Sequence, residues 1–280
     1  MTQTPVRVLI TRTPLAALDF KSQLAGYRSW GLEVELLYLP VQEAELAAGL
    51  DRLEPLLALG RGYFAWVSFT SAQGVHALAQ YAKTLAGPAV ELTQLLAKTR
   101  LACVGKATAA ALASYGLPTH FSPTLPDAQH MVDQWPLEEH PGPVLCIQGN
   151  QARATLVEGL RARGLEVHSA TLYRMTSYPA ACPLQAAGDP TGLALSLADL
   201  PGILNTVDLL VASAPSRLKL VHRYVRERGL SWQLPVLAIG QTTGRCAAEL
   251  QLNYRVAPSP FPADLAHSVY RFIQEQEEKN

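Results

Sequence analysis

Small hydroxyl residues follow several apolar, strand-like runs of this 280-residue chain. A helix-like segment comes after each run, so these residues stand where a helix would begin. At such a point, hydroxyl groups and the unpaired N–H groups of the helix start can bind phosphate or carboxylate oxygens. Ordinary helix capping would explain any one of these positions, but their repetition favours a ligand. The candidate ligand-binding residues are Thr70, Ser71, Thr108, Ser213, Thr242 and Thr243.

Another such junction, at Gly149 and Asn150, is followed by Arg153. Gly149 permits close approach of the backbone to a ligand, and Arg153 lies near enough to the predicted helix start to reach an anion. Arg12, after the first apolar run, is a similar candidate, although an arginine in such a place is often only solvated. Tyr173 ends a further apolar run. Its side chain either packs at an interface or donates a proton through its hydroxyl.

The composition excludes several classes of function. Lys and Arg number 23, as do Asp and Glu, so no net field attracts the chain to nucleic acid or an anionic membrane. The apolar runs are too short to span a bilayer, and the N-terminus does not resemble a secretory signal. Four cysteines lie far apart and seven histidines are scattered. We therefore expect reduced thiols, no metal site and a cytoplasmic protein.

Short apolar runs alternate with amphipathic stretches along the whole chain, which predicts parallel sheets covered by helices on both faces. The fold class is therefore α/β. The predicted strands are Val6–Thr11, Val34–Pro40, Phe64–Thr70, Arg100–Val104, Val144–Gln148, Glu166–Tyr173, Val207–Ala212 and Pro235–Ile239, with weaker ones at Thr119–Ser122 and Tyr254–Ala257. The predicted helices are Leu15–Trp30, Ala72–Leu85, Lys106–Tyr115, Gln151–Arg163, Ser216–Arg228 and Thr242–Leu250. Glycines at 31, 116, 164 and 229 are expected to end helices in the left-handed conformation.

The chain also repeats itself at a long interval, which indicates a duplicated domain. Gly31-Leu-Glu-Val corresponds to Gly164-Leu-Glu-Val, and Phe69-Thr-Ser-Ala corresponds to Val211-Ala-Ser-Ala. Leu101-Ala-Cys-Val-Gly corresponds to Leu237-Ala-Ile-Gly. Two similar α/β domains would offer a cleft for a ligand. The repeat by itself suggests a tandem arrangement divided near residue 140.

Taken together, these motifs resemble the uroporphyrinogen-III synthase family from about Val6 to Leu265. They are Thr-Arg after the first strand, Phe-Thr-Ser-x-x-x-Val, Val-Gly-x-x-Thr-Ala, Gly-Asn-x-x-Arg-x-x-Leu-x-x-x-Leu, Leu-Tyr-Arg and Ile-Gly-x-Thr-Thr. Two positions depart from the family pattern. Gln73 stands where asparagine is frequent, and Ala212 stands in place of the threonine of a second Thr-Ser pair.

The resemblance implies two flavodoxin-like domains joined by a two-stranded β connector, with one domain inserted into the other. The first domain would comprise residues 1–40 and 176–280, and the inserted domain residues 41–175. The connector strands would lie near Leu36–Pro40 and Thr171–Thr176. This expectation differs from the tandem arrangement, and we follow the resemblance.

The resemblance also implies a lyase of tetrapyrrole (heme) biosynthesis that closes the linear tetrapyrrole hydroxymethylbilane to uroporphyrinogen III. The terminal hydroxyl leaves, the last pyrrole ring is inverted through a spiro intermediate, and the macrocycle closes. No cofactor is needed, Tyr173 would be the general acid, and the candidate residues named above would bind the substrate's carboxylates. Hydroxymethylbilane synthase is a candidate partner of an otherwise monomeric enzyme. Two alternatives are a cleft protein that binds a small carboxylate or sugar without catalysis, and a synthase-like protein without activity.

Overall fold

The computed structural model describes residues 5–31, 33–47, 53–86, 91–138, 141–184 and 192–277. The chain divides into two compact units. One unit comprises Met1–Glu43, Ser177–Pro179 and Ala187–Asn280, and the other comprises Ala44–Thr176 and Ala180–Ala186. Within the described residues, no helix is long and apolar enough to cross a membrane.

Each unit contains a five-stranded sheet. In chain order the strands are β1 (Val6–Ile10), β2 (Val34–Tyr38), β3 (Gln42–Leu46), β4 (Trp66–Phe69), β5 (Arg100–Cys103), β6 (Val144–Gly149), β7 (Val167–Ser177), β8 (Leu209–Ala212), β9 (Val236–Ala238) and β10 (Tyr254–Val256). The first sheet has the order β10-β9-β8-β1-β2, and all its pairs are parallel. The second has the order β3-β7-β6-β4-β5, and the pairs among β7, β6, β4 and β5 are parallel.

The helices cover both faces of each sheet. They are α1 (Leu18–Ala25), α2 (Leu53–Gly60), α3 (Ala72–Ala86), α4 (Leu92–Leu95), α5 (Lys106–Ser114), α6 (Ala128–Asp133), α7 (Thr155–Ala162), α8 (Leu200–Ile203), α9 (Pro215–Glu227), α10 (Gln241–Glu249) and α11 (Pro262–Glu277). Successive strand residues alternate between two cores, as Leu9 and Ile10 do in β1. Such strands are apolar on both faces, which is why they appear in the sequence as continuous apolar runs.

The predicted fold class is confirmed, and so are the four glycine caps. Gly31, Gly116, Gly164 and Gly229 all have φ between 64° and 85°, the left-handed region in which a side chain is unfavourable. Several boundaries differ from the prediction. The first predicted helix is divided, because 3₁₀ turns flank α1. Helix α7 begins at Thr155 rather than at residue 151.

The two sheets repeat one strand order. The order β2-β1-β8-β9-β10 of the first sheet corresponds to β7-β6-β4-β5 of the second, followed there by Phe121, and β3 is an additional strand beyond β7. The predicted strand Thr119–Ser122 is not formed, but Phe121 makes an isolated parallel bridge to Ala102 of β5. Phe121 thus takes the place that β10 has beside β9. The sequence repeat therefore corresponds to a repeat of sheet positions.

The strand registers change the predicted correspondence between the two copies of the repeat by one residue after β4 and β8. Phe69 pairs with Cys103 and Ala212 pairs with Ala238. Cys103 and Ala238 stand two residues before the equivalent glycines Gly105 and Gly240, which cap α5 and α10. Phe69 therefore corresponds to Ala212, and Thr70 to Ser213. By this register Ser213, rather than Ala212, stands at the position of Thr70 and supplies a hydroxyl there.

The entering strand of the predicted connector also differs. Leu36–Tyr38 belong to β2, which pairs with β1. The neighbour of β7 is instead β3, and Ala47 just beyond it donates its N–H to Leu172 O at 2.9 Å. Buried Glu45 of β3 also forms an ion pair with Arg174 of β7, 2.5 Å long. The Arg174 of the Leu-Tyr-Arg motif therefore holds these two strands together.

Candidate functional site

The carboxyl ends of parallel strands meet at one edge of a sheet, which is where open α/β sheets bind ligands. In the second unit, Thr70 and Ser71 follow β4, Gly149 ends β6, and Tyr173 lies in β7. Thr108 is buried in the first turn of α5, just after β5. The fold thus brings these predicted residues to the same edge of the second sheet.

Gly149 and Tyr173 are direct neighbours across β6 and β7. The register shifts after Gln148, so that Gly149 stands opposite Tyr173. A Cβ atom on Gly149 would lie 2.5 Å from the Tyr173 ring and 2.9 Å from its hydroxyl oxygen. Only a glycine leaves room for the ring, and the bulge turns the tyrosine toward it. Tyr173 is 8% exposed, and its hydroxyl makes no hydrogen bond to any described residue.

Asn150 supports the same arrangement from the backbone. Its N–H donates to Tyr173 O at 3.0 Å, and its side-chain Oδ1 accepts from the N–H of Met175 at 3.0 Å. The amide oxygen is therefore used to hold β7, and the amide nitrogen is the part left for a ligand. Arg153 is exposed and lies before α7 rather than in its first turn.

The start of α3 carries two polar side chains. Ser71 Oγ accepts from the N–H of Gln73 at 3.2 Å, which caps the helix. The buried Gln73 Oε1 has no hydrogen-bond partner among the described residues. A buried acceptor without a partner is costly. Gln73 thus places an acceptor without a described partner at the start of α3, and the sequence marked it only as a departure from the family pattern.

In the first unit, Ser213 is part of a closed hydrogen-bond network. Its N–H donates to Thr11 Oγ1 at 2.8 Å, and its hydroxyl donates to Thr11 O at 2.8 Å. Arg217 Nη1 donates to the same carbonyl and to Ser213 Oγ, both at 2.9 Å. Ser213 therefore joins β8 to β1, which the sequence did not predict.

Arg12 and Arg217 lie together at this edge of the first sheet. Burial lowers the pKa of Arg12. Burial, followed by the charge of Arg12, lowers the pKa of Arg217. Both groups remain cationic, because an arginine loses its proton only far above neutral pH. The sequence identified Arg12 but missed Arg217, which is indistinguishable there from the solvated arginines of α9.

Thr242 and Thr243 lie in the first turn of α10, after β9. Thr242 is exposed, whereas Thr243 is buried, as is its counterpart Thr108. The flanking Gly240 is extended and has open space beside it. A ligand could therefore approach the backbone N–H groups of this turn closely. Among the described residues, no group of three or more His, Cys, Asp or Glu side chains could hold a metal ion.

Solved structures share this fold over nearly the whole chain. A mutant uroporphyrinogen III synthase from Thermus thermophilus is 22% identical, with a TM-score of 0.60, and covers 96% of this chain and 99% of its own. Uroporphyrinogen-III synthetase from Helicobacter pylori is 15% identical, with a TM-score of 0.59, and covers 95% and 99%. At these identities the likeness concerns the fold. A search of curated proteins found no match.

The family profile described as uroporphyrinogen-III synthase HemD matches residues 31–267. The matched range includes the carboxyl-end residues of both sheets apart from Thr11 and Arg12. The family match favours a synthase over a protein that only binds a small carboxylate or sugar. The chain therefore belongs to the uroporphyrinogen-III synthase family, whose activity is that of a lyase in heme and porphyrin biosynthesis.

Proposed function

We propose that this chain itself converts hydroxymethylbilane to uroporphyrinogen III, and that the predicted residues at the carboxyl ends of the strands in each unit bind the substrate. The observation that carries the proposal is the family match over residues 31–267, since this range contains the carboxyl-end residues of both sheets apart from Thr11 and Arg12. The substrate carries an acetate and a propionate on each pyrrole ring. Hydroxyls, helix-start N–H groups and arginines are suitable donors for such carboxylates.

The net reaction is the loss of one water. The terminal hydroxyl of the substrate takes a proton and leaves, which produces an electrophilic azafulvene. The last pyrrole ring attacks the azafulvene through its substituted α-carbon, giving a spiro intermediate. The original bond between that carbon and its bridging methylene carbon then breaks, and this methylene carbon bonds to the ring's unsubstituted α-carbon, so that the ring is inverted. Ring closure releases a proton from the carbon that forms the final bond, and this proton replaces the one given to the leaving hydroxyl. A single acid can therefore be restored within one turnover.

Tyr173 is the proposed acid. Its ring is fixed against Gly149 and its hydroxyl has no described partner, so that the O–H group is available to the leaving hydroxyl. A positioned acid contributes about 10²- to 10⁴-fold to a rate. The larger share is expected from orientation, because the flexible substrate must be folded until its end rings meet.

The carboxylate contacts are assigned to two sets of residues. In the second unit they are Thr70, Ser71, Thr108, Gly149, Asn150 and Arg153, and in the first unit they are Arg12, Ser213, Thr242 and Thr243. The buried Thr108 and Thr243 act through the N–H groups of their helix starts more than through open hydroxyls. A monomeric state, a cytoplasmic location and a contact with hydroxymethylbilane synthase stay predictions.

Titration with hydroxymethylbilane tests the proposal. We expect saturable consumption of the substrate faster than its spontaneous closure. Binding without faster consumption would instead indicate a protein of the same family that has lost its activity. The absence of both would contradict the proposed substrate.

A further inference from the structure

Arg217 occupies a position where the equivalent part of the second unit has no side chain. Because Ala212 corresponds to Phe69, Arg217 corresponds to Gly74 and its buried neighbour Leu218 to Val75. A Cβ atom on Gly74 would lie 3.2 Å from Ile147 Cγ2. The repeated architecture therefore forms without an arginine here, and Arg217 is an addition that the fold does not require.

The contacts of Arg217 leave most of its guanidinium unused. Only Nη1 donates hydrogen bonds to described residues, to Thr11 O and Ser213 Oγ. Thr11 O already accepts a hydrogen bond from the Ser213 hydroxyl at 2.8 Å. Arg217 thus donates a second hydrogen bond to a carbonyl that already has a partner. A guanidinium has further N–H donors on Nε and Nη2, arranged as a planar fork.

No counter-ion for this arginine is present among the described residues. Neither Arg217 nor Arg12 takes part in any ion pair between described side chains. Both are partly buried, and the two positive charges are close enough to repel each other. Burying two like charges without an acidic partner is unfavourable. An anion that pairs with both guanidinium groups would offset this cost.

We propose that Arg12 and Arg217 together bind one side-chain carboxylate of the substrate, with the free N–H groups of the Arg217 fork as the main donors. This inference rests on the proposed function, which supplies a substrate rich in carboxylates. A planar fork matches the two oxygens of a carboxylate, and the hydrogen bonds between them are charge-assisted. Arg217 is therefore a substrate-positioning residue, and Arg12 supplies the second charge.

The test is a comparison of Arg217→Ala with Arg217→Lys in steady-state turnover of hydroxymethylbilane. Loss of charge-assisted hydrogen bonds is expected to raise KM by about 10- to 100-fold. The value of kcat should stay close to wild type, because the contact is made equally in the bound substrate and in the transition state. Lysine keeps the charge but not the fork, so it should restore part of the affinity.

Arg223→Ala is the matched control, because Arg223 is an exposed arginine of the same helix. It should leave KM and kcat unchanged. Thermal unfolding should show Arg217→Ala at least as stable as wild type, because alanine favours the helix and a partly buried charge without an ion-pair partner among the described residues is removed.

The outcomes separate this inference from the proposed function. If the wild type is active and Arg217→Ala keeps its KM, the carboxylate site is wrong and the synthase activity stands. If Arg217→Ala instead lowers both the melting temperature and kcat, and Arg217→Lys restores neither, Arg217 has a structural role. That result would also contradict the inference. If the wild type itself does not turn over hydroxymethylbilane, both proposals fail.

Discussion

At the scale of single residues, the Tyr173 hydroxyl is the proposed proton donor. Tyr173→Phe removes that oxygen and keeps the ring that packs against Gly149. If the hydroxyl protonates the leaving group, turnover should fall by about 10²-fold or more with little change in KM. Tyr63→Phe is the control, because Tyr63 precedes β4 and lies at the amino ends of the strands, away from Tyr173. Its hydroxyl donates to Glu166 there. Turnover of Tyr173→Phe close to that of the control would remove Tyr173 from the mechanism.

The substitution Gly149→Ala tests whether the Tyr173 ring is held in place by its contact with Gly149. In Gly149→Ala the new methyl group would overlap the Tyr173 ring, so the ring must move. We expect a loss of stability of about 1–3 kcal/mol in chemical denaturation, as for other overpacked sites, together with reduced turnover. Gly202→Ala offers a helical glycine with open space beside it and should not lose stability. Wild-type stability and turnover of Gly149→Ala would show that Tyr173 is not fixed by this contact.

At the scale of elements, the segment after β7 is attached to the second unit by Leu184. This side chain is 3% exposed in the core of that unit. Its backbone N–H donates to Ala44 O at 2.7 Å, and its carbonyl accepts from Gln80 Nε2 at 2.6 Å. Leu184→Ala keeps both hydrogen bonds and removes only the buried side chain. It should therefore destabilise the protein by about 2–5 kcal/mol in urea unfolding.

Leu125→Ala is the matched control, since Leu125 belongs to the same unit and is largely exposed. It should change the free energy of unfolding by no more than about 0.5 kcal/mol. Equal effects of the two substitutions would mean that the segment around Leu184 does not pack on this unit in solution.

The elements also show what a sequence can and cannot predict. Strands such as β1 and β6 were predictable because burial on both faces leaves a continuous apolar run. Strand β3 was missed because its sequence, Gln-Glu-Ala-Glu-Leu, carries two glutamates. One of them is acceptable only because Arg174 of β7 pairs with it. That pairing joins residues distant in sequence, and no local pattern contains it.

In the candidate site, too, the features with a local sequence pattern were predictable and the long-range contacts were not. The residues at strand ends, such as Ser71 and Gly149, were predictable because the ends of parallel strands are marked by the change from apolar to small polar residues. The contact of Gly149 with Tyr173 depends on a register shift. The role of Arg217 depends on its approach to β1. Such long-range contacts are visible only once the strands are paired.

At the scale of the whole molecule, we propose that the second unit is an insertion able to fold alone. A fragment of residues 41–186 should unfold cooperatively and be more stable than residues 41–175, because the shorter fragment lacks Leu184. Full burial of a leucine contributes about 1.5–3 kcal/mol. Urea unfolding of both fragments measures the difference. Limited proteolysis of the full chain into two stable fragments divided near residue 140 would instead support the tandem arrangement.

We propose that this chain closes hydroxymethylbilane with inversion of the last ring. The direct measurement is the isomer composition of the product, obtained by oxidising the reaction mixture to porphyrins and separating the isomers by chromatography. Spontaneous closure without inversion gives the type I isomer, so a protein-free sample sets the background. We expect the type III isomer to predominate when the protein is present. A ratio of type I to type III equal to the background would contradict it.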